Sequence, residues 1–215
     1  MNTISFKKVL PQVFSTSAEP LLSDIWQQDV TFNRGRHYLI EADSGKGKST
    51  FCSYIQGYRH DYTGQLLFDG ADARLCSISD WCTLRQRHVA VLFQELRLFP
   101  ELTAFENVEI KNSLTQYKTR KQIEEWFAML GIADKIDSKV GRMSFGQQQR
   151  VALMRSLVQP FDFLLADEPI SHLDDHNAEL MATLITKEVN CTGATIITTS
   201  IGKRLPLDYD ITLKL

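Results

Sequence analysis

An α/β fold, a mostly parallel sheet flanked by helices, is the class this sequence predicts, and three observations predict it. Residues 36–55 read as strand, glycine-bearing loop and helix: Arg36-His37-Tyr38-Leu39-Ile40, then Ala42 to Thr50, then Phe51-Cys52-Ser53-Tyr54-Ile55. Phe163-Leu164-Leu165-Ala166 is a short unbroken apolar run, the pattern of a parallel strand buried on both faces, and it stops at Asp167-Glu168-Pro169. Residues 159–215 alternate strand and helix, while residues 95–158 are mainly helical.

Taken in chain order, residues 1–94 mix strands with the helix that follows the glycine-bearing loop. Gln65-Leu66-Leu67-Phe68 reads as a strand running into an Asp69-Gly70 turn. Ile123, Trp126, Phe127 and Leu130 recur at i, i+3, i+4 and i+7, which predicts an amphipathic helix ending at Gly131. Val151, Met154, Leu157 and Val158 repeat at helical spacing behind Ser144. A length of 215 residues suits one α/β domain or one with a smaller helical insert. The division is 1–94 with 159–215 as core and 95–158 as helical part.

The loop Ala42-Asp43-Ser44-Gly45-Lys46-Gly47-Lys48-Ser49-Thr50 is suited to phosphates. Gly45 and Gly47 let the backbone bend closely around an anion, and the following helix aims its first N–H groups at the same point. Lys48 would reach the β- and γ-phosphates, and the Ser49 hydroxyl would ligate Mg²⁺. The strict pattern G-x-x-x-x-G-K-[ST] starts with glycine, whereas Ala42 stands here and disfavours positive φ. The plainer alternative is a Gly/Lys-rich surface turn.

At the end of the apolar strand, Asp167 could hold Mg²⁺ through water, and Glu168 could orient and deprotonate an attacking water. Two solvated acids capping a buried strand is the other reading. Ser144 with the N–H groups of Gly146 and Gln147 opens a helix, and a helix N-terminus with a hydroxyl is an anion site. The same residues by themselves also make an ordinary helix cap.

With these residues in view, the chain resembles the nucleotide-binding subunit of an ATP-binding cassette (ABC) transporter over nearly its whole length. Met143-Ser144-Phe145-Gly146-Gln147 is similar to the signature L-S-G-G-Q, with Phe145 in place of the first glycine of the pair. Val91-Leu92-Phe93-Gln94 resembles the Q-loop, and Ser171-His172-Leu173-Asp174 the D-loop. Ile4-Ser5-Phe6 with Val13-Phe14 resembles the opening strand whose aromatic, here Phe14, stacks on adenine; a core aromatic at a strand end is the alternative. The resemblance implies a P-loop NTPase fold with a helical signature subdomain and a small antiparallel part. It implies ATP and Mg²⁺ as cofactors, with Ser49, Gln94 and Asp167 at the metal and Glu168 as the base. It implies an ATP site formed by Phe14, Asp43 to Thr50 and Gln94, closed by Ser144, Gly146 and Gln147 of a second cassette, either another copy of this chain or a paired non-identical one.

Two further expectations come from the resemblance. Thr195 to Ile201 fits the strand before the family's γ-phosphate histidine, which falls on Ile201, or on Ser200 if the alignment shifts by one residue. Loss of such a donor commonly lowers rate by about 10²–10³. The stretch Gln94 to Thr103 would receive a short helix from a membrane permease subunit, with Leu98, Phe99 and Leu102 as apolar anchors; a buried interdomain loop is the alternative. This stretch is most similar to cassettes of lipoprotein-release, macrolide-export and cell-division type.

Composition narrows the class. A net charge of −2 argues against a large nucleic-acid interface. Cys52, Cys76, Cys82 and Cys191 form no C-x-x-C pair, so they read as reduced thiols of a cytoplasmic protein rather than a zinc or redox motif. No apolar run approaches the ~18 residues of a membrane span, and the N-terminus lacks a signal-peptide pattern. Attachment to the inner face of the membrane would therefore run through the permease. The sequence reading is an ATP-binding, ATP-hydrolysing transporter subunit. Its rivals are a nucleotide-gated assembly module with little turnover, motivated by Ala42 and Ile201, and a cassette acting on ribosomes or DNA.

Overall fold

The computed structural model describes residues 1–15, 22–43, 45–170 and 174–215. Ser44 and the D-loop residues Ser171, His172 and Leu173 lie outside the described residues.

Two sheets form the frame. The first is antiparallel, in the order β2-β1-β4-β5, from β1 (Thr3–Pro11), β2 (Asp29–Asn33), β4 (Tyr62–Phe68) and β5 (Ala71–Asp72). The second is parallel throughout, in the order β6-β7-β8-β3-β9. It comprises β3 (Tyr38–Glu41), β6 (Val89–Leu92), β7 (Phe163–Asp167), β8 (Thr195–Ser200) and β9 (Ile211–Lys214). β7 is flanked on both sides by strands, and its five residues are all buried, as the unbroken apolar run requires.

Successive residues of a strand point to opposite faces, so β7 feeds two cores. Phe163 and Leu165 join Tyr38, Ile40 and the aromatic side chains of the antiparallel sheet. There Phe6 stacks on Phe51 with ring centroids 5.1 Å apart, and Trp26 and Phe32 meet Phe51 edge-on. Leu164 and Ala166 face the helices instead. These are α3 (Ala104–Asn112), α4 (Arg120–Met129) and α5 (Phe145–Leu157), between β6 and β7, and α6 (Asp175–Thr192) before β8.

The helix ends follow their local chemistry. Thr103, Thr119 and Ser144 cap α3, α4 and α5, each in a reciprocal capping box with the third helical residue. Ile123, Trp126, Phe127 and Leu130 are buried as their spacing predicts, and Gly131 at φ 66° turns the chain away. Asp69 (φ 48°) and Gly70 (φ 85°) make the two-residue turn joining β4 to β5.

One boundary differs from the sequence reading. The strand expected from Arg36 starts at Tyr38 and continues to Glu41. Gly35 adopts φ 83°, and the Arg36 N–H donates to the Asn33 carbonyl at 3.3 Å, so the turn leaving β2 takes in Arg36. Among the described residues no helix is long and apolar enough to cross a membrane.

Candidate functional site

The C-terminal ends of parallel strands are where an open α/β sheet offers a crevice. Here β3 runs into the 42–47 loop, β7 ends at Asp167 and β8 ends at Ser200. Together with Gln94 beyond β6 they border a cleft of about 380 Å³, lined in part by Gly45, Gly47, Lys48, Ser49, Thr50 and Glu168.

The loop geometry depends on its glycines. Gly47, at φ 99°, caps α1 (Lys48–Ile55), and Gly45 has φ 79°. A Cβ on Gly47 would also lie 3.1 Å from Phe14 and 3.2 Å from the Trp26 indole nitrogen. Glycine is thus favoured there by backbone conformation, and the rings pressed on the loop leave little room for a Cβ. The Trp26 indole N–H donates to the Lys46 carbonyl at 3.4 Å, a second tie on the loop's outer side. Ala42 closes the other end, its N–H donating to the Ser200 carbonyl at 3.2 Å.

Lys48 is buried, and its ammonium donates to the carbonyls of Ala42 (3.0 Å) and Asp43 (2.9 Å). It also lies 3.6 Å from a Glu168 carboxylate oxygen. Asp167 sits one strand away from the loop. The β7–β8 register pairs it with Thr199, whose hydroxyl donates to Asp167 Oδ1 at 2.6 Å. Burial pushes the Asp167 carboxyl above the usual carboxylate range, against the opposing pull of hydrogen bonds from Thr199 and Ser49 and of the Lys48 charge. Ser49 therefore stands next to Asp167, an oxygen pair of the hard-donor type that suits Mg²⁺.

Glu168 takes a left-handed conformation (φ 46°), which a glutamate adopts only when its surroundings impose it. Its N–H donates to both the carbonyl and the hydroxyl of Thr199, each at 3.2 Å. The carboxylate is thereby turned into the cleft, where Gln94 Nε2 donates to Oε2 at 3.3 Å. Lysine, hydroxyl, paired acids and glutamine from three separate segments thus converge on one small volume.

The remaining sequence candidates divide. Phe14 lines the cleft from the 3₁₀ turn Gln12–Phe14, just past β1 rather than within it. Asp43 and Lys46 contribute loop backbone. At the β8 end, Ile201 lines the cleft, while the Ser200 hydroxyl donates to the Lys203 carbonyl at 2.5 Å. Ser144 and Gln147 cap α5 reciprocally (2.9 and 3.3 Å), and neither they nor Gly146 lines this cleft. Phe145 beside them is 44% exposed.

Arg59, which the sequence reading passed over, also lines the cleft. Its guanidinium donates to the Thr50 hydroxyl at 3.1 Å and is oriented by both carboxylate oxygens of Asp61. Gly57 (φ 67°) turns the chain back after α1 and brings Arg59 to the loop, a placement no local pattern encodes. Thr199 was passed over too, though the hydroxyl-bearing end of Thr195-Ile196-Ile197-Thr198-Thr199-Ser200 beside an Asp-ended strand was its signal.

Comparisons with known proteins identify the family. The family profile described as ABC transporter matches residues 26–171. A macrolide export ATP-binding/permease protein, MacB of Shewanella sp. (strain W3-18-1), is 33% identical over 184 residues. That match covers 84% of this chain but only 28% of the relative, so the chain spans little more than a quarter of that protein's length. An uncharacterized ABC transporter ATP-binding protein of Bacillus subtilis, YclH, is 31% identical over 89% of this chain and 85% of its own. Among solved structures, the dimeric ABC transporter cassette MJ0796 superposes with a TM-score of 0.75 at 26% identity, covering 91% of this chain and 87% of that one. A dimer of the same cassette in a post-hydrolysis state, bound to ADP and Pi, gives 0.77 at 25% identity, over 92% and 87% of the two chains. The nucleotide-type cleft, the parallel sheet beneath it and these matches make one assignment: the chain is an ATP-binding cassette of the ABC transporter family.

Proposed function

We propose that the chain binds Mg-ATP in the cleft, hydrolyses it slowly, and passes the resulting dimer closure to a membrane permease. The observation that carries this reading is the convergence of Lys48, Ser49, Gln94, Asp167 and Glu168 on one cleft from three separate segments. Lys48 and the N–H groups from Gly45 to Thr50 hold the phosphates, with Arg59 as the second cation of the cleft. Phe14 offers a ring face to the base at the cleft wall. Ser49, Asp167 and Gln94 fit a magnesium ion, which would neutralise the charge developing on the phosphates. Glu168, aimed inward by its strained backbone, accepts a proton from the attacking water.

Ser144, Gly146 and Gln147 stand apart from their own cleft, which supports a role across a dimer, closing over the γ-phosphate held by a second cassette. The dimeric MJ0796 structures support the same arrangement. Core segments 1–94 and 159–215 would act as the ATPase body and 95–158 as the part that carries Ser144 to the partner. Ile201 places a hydrocarbon where the family carries a hydrogen-bonding histidine, the basis for slow turnover.

Phe99 lies in a groove on the helical side and Leu98 packs on the helical core, so Phe99 leads the permease contact and Leu98 shapes its floor; Leu102 borders that stretch. Through it the cassette would sit at the cytoplasmic face of the cell membrane. ATP-dependent dimerisation tests the reading. Glu168→Gln with Mg-ATP should give a dimer by light scattering, and Lys48→Ala on that background should not. A Glu168→Gln chain that binds ATP yet stays monomeric at every concentration would refute the shared-site arrangement.

A further inference from the structure

The groove that contains Phe99 has a volume of about 270 Å³ and lies along β6, the edge strand of the parallel sheet. Its apolar wall comprises Tyr58, Val91, Phe93, Phe99 and Ile110, and three of these, Tyr58, Phe99 and Ile110, are each about half exposed. Its charged lining is of one sign. Arg85, Lys111 and Arg155 face it, and no aspartate or glutamate is among the residues that line it.

The three cations also lack carboxylate partners nearby. Arg85 donates to the carbonyls of Gln56 (2.9 Å) and Gly57 (3.4 Å). Arg155 donates to those of Arg97 (2.5 Å) and Leu96 (2.8 Å). Neutral acceptors fix both guanidinium groups in place and leave their charge uncompensated. Lys111 makes no side-chain hydrogen bond or ion pair among the described residues, and burial together with Arg155 pulls its ammonium below the usual lysine range. The acids closest in sequence to them are engaged elsewhere: Asp80 accepts from the Ser77 N–H and hydroxyl (2.8 and 2.7 Å), Glu109 from Asn112 at 3.1 Å, and Asp162 pairs with Met1, Arg34 and His88.

We propose that the segment docking in this groove is acidic: a short peptide stretch of the partner whose carboxylate meets Lys111 and Arg155 while its apolar side chains cover Phe93, Phe99 and Ile110. This rests on reading the groove as the permease contact and adds the chemistry of what enters it. Three like charges around a half-buried hollow repel one another, and one incoming carboxylate relieves that repulsion where water is already scarce. A bare anion would leave the aromatic wall uncovered, and a purely apolar helix would bury the Lys111 ammonium unpaired. Only a mixed acidic and apolar segment satisfies both halves of the lining.

The test is a display selection of short helical peptides, fully randomised on one face, against the immobilised full chain, with Phe99→Asp as counter-target. Peptides that require Phe99 should be enriched in Asp or Glu beside Leu, Ile or Phe. One of them, made synthetically, should bind Lys111→Ala about 10-fold more weakly and Lys111→Glu more weakly still, and should lose affinity when its acids become amides. The thermal midpoints and ATP affinities of these Lys111 variants should match the wild type. Phe99-dependent peptides that are neutral or basic, or that bind Lys111→Glu unchanged, would overturn the acidic assignment and leave the docking groove standing. No Phe99-dependent peptide at all would overturn the groove as a protein contact. Lys111-dependent binding of the chain to phosphatidylglycerol vesicles, with no peptide selected, would replace the peptide by a lipid surface and likewise overturn the proposal.

Discussion

At Glu168 a strained backbone, a lysine 3.6 Å away and a glutamine donor meet in one side chain. That combination fixes the carboxylate in the cleft rather than free in solvent, as the proposed base requires. Asp167, the preceding residue, is the proposed metal ligand, and burial raises its proton affinity. Because a metal ligand must be ionised, Mg²⁺ competes with a proton there. Magnesium-dependent nucleotide binding should therefore weaken on acidification, beginning above the ordinary aspartate value of about 3.9. An isothermal titration series in pH, with Asp167→Asn as the variant that has lost the dependence, checks this. Ile201→His returns a donor to the cleft wall and should raise turnover by about 10-fold or more, measured by phosphate release. The motif residues Lys48, Ser49, Asp167 and Glu168 were legible in the sequence because each belongs to a short pattern. Arg59 and Thr199 were not, because their places come from the turn at Gly57 and from the β7–β8 register, and neither is a local property.

The elements carry the next level of the account. β7 was readable from its continuous apolar run, and α4 from the spacing of Ile123, Trp126, Phe127 and Leu130, since both patterns follow from which faces are covered. The start of β3 was misjudged because Gly35 and Arg36 form a turn whose hydrogen bond overrides strand propensity. α5 has a structural role at its first turn and, in the proposed function, a second one across the dimer. The Ser144–Gln147 capping box stabilises the helix, so Ser144→Ala should lower stability by about 1 kcal/mol in denaturant unfolding of the isolated chain. The same change should weaken ATP-dependent dimerisation of the Glu168→Gln chain further than that loss explains. Beyond β6, Leu96 and Arg97 both take positive φ, at 61° and 52°, and Arg155 from α5 holds their two carbonyls. That clasp ties the segment after Gln94 to the helix that begins with Ser144.

At the scale of the whole molecule, the parallel sheet is held between an aromatic core and a helical core, and β7 supplies residues to both. Asp162, immediately before β7, ties distant segments together: its carboxylate meets the Met1 ammonium (2.7 Å), Arg34 (2.6 Å) and His88 (2.6 Å). Partial burial would raise its pKa, but those partners outweigh that and hold the carboxyl below the usual range. A depressed acid contributes stability above its unfolded-state pKa of about 3.9 and loses it as pH falls through the lower folded value. Asp162→Asn should thus cost about 1–3 kcal/mol near neutrality, with the gap to wild type closing in strong acid, as thermal melts across pH would show. The central claim, that this cassette turns ATP over with Glu168 as base, is tested most directly by phosphate release from Mg-ATP by the wild type and Glu168→Gln side by side. The account predicts slow but measurable release by the wild type and none by the variant, although both bind ATP. Equal release by the two chains would contradict it.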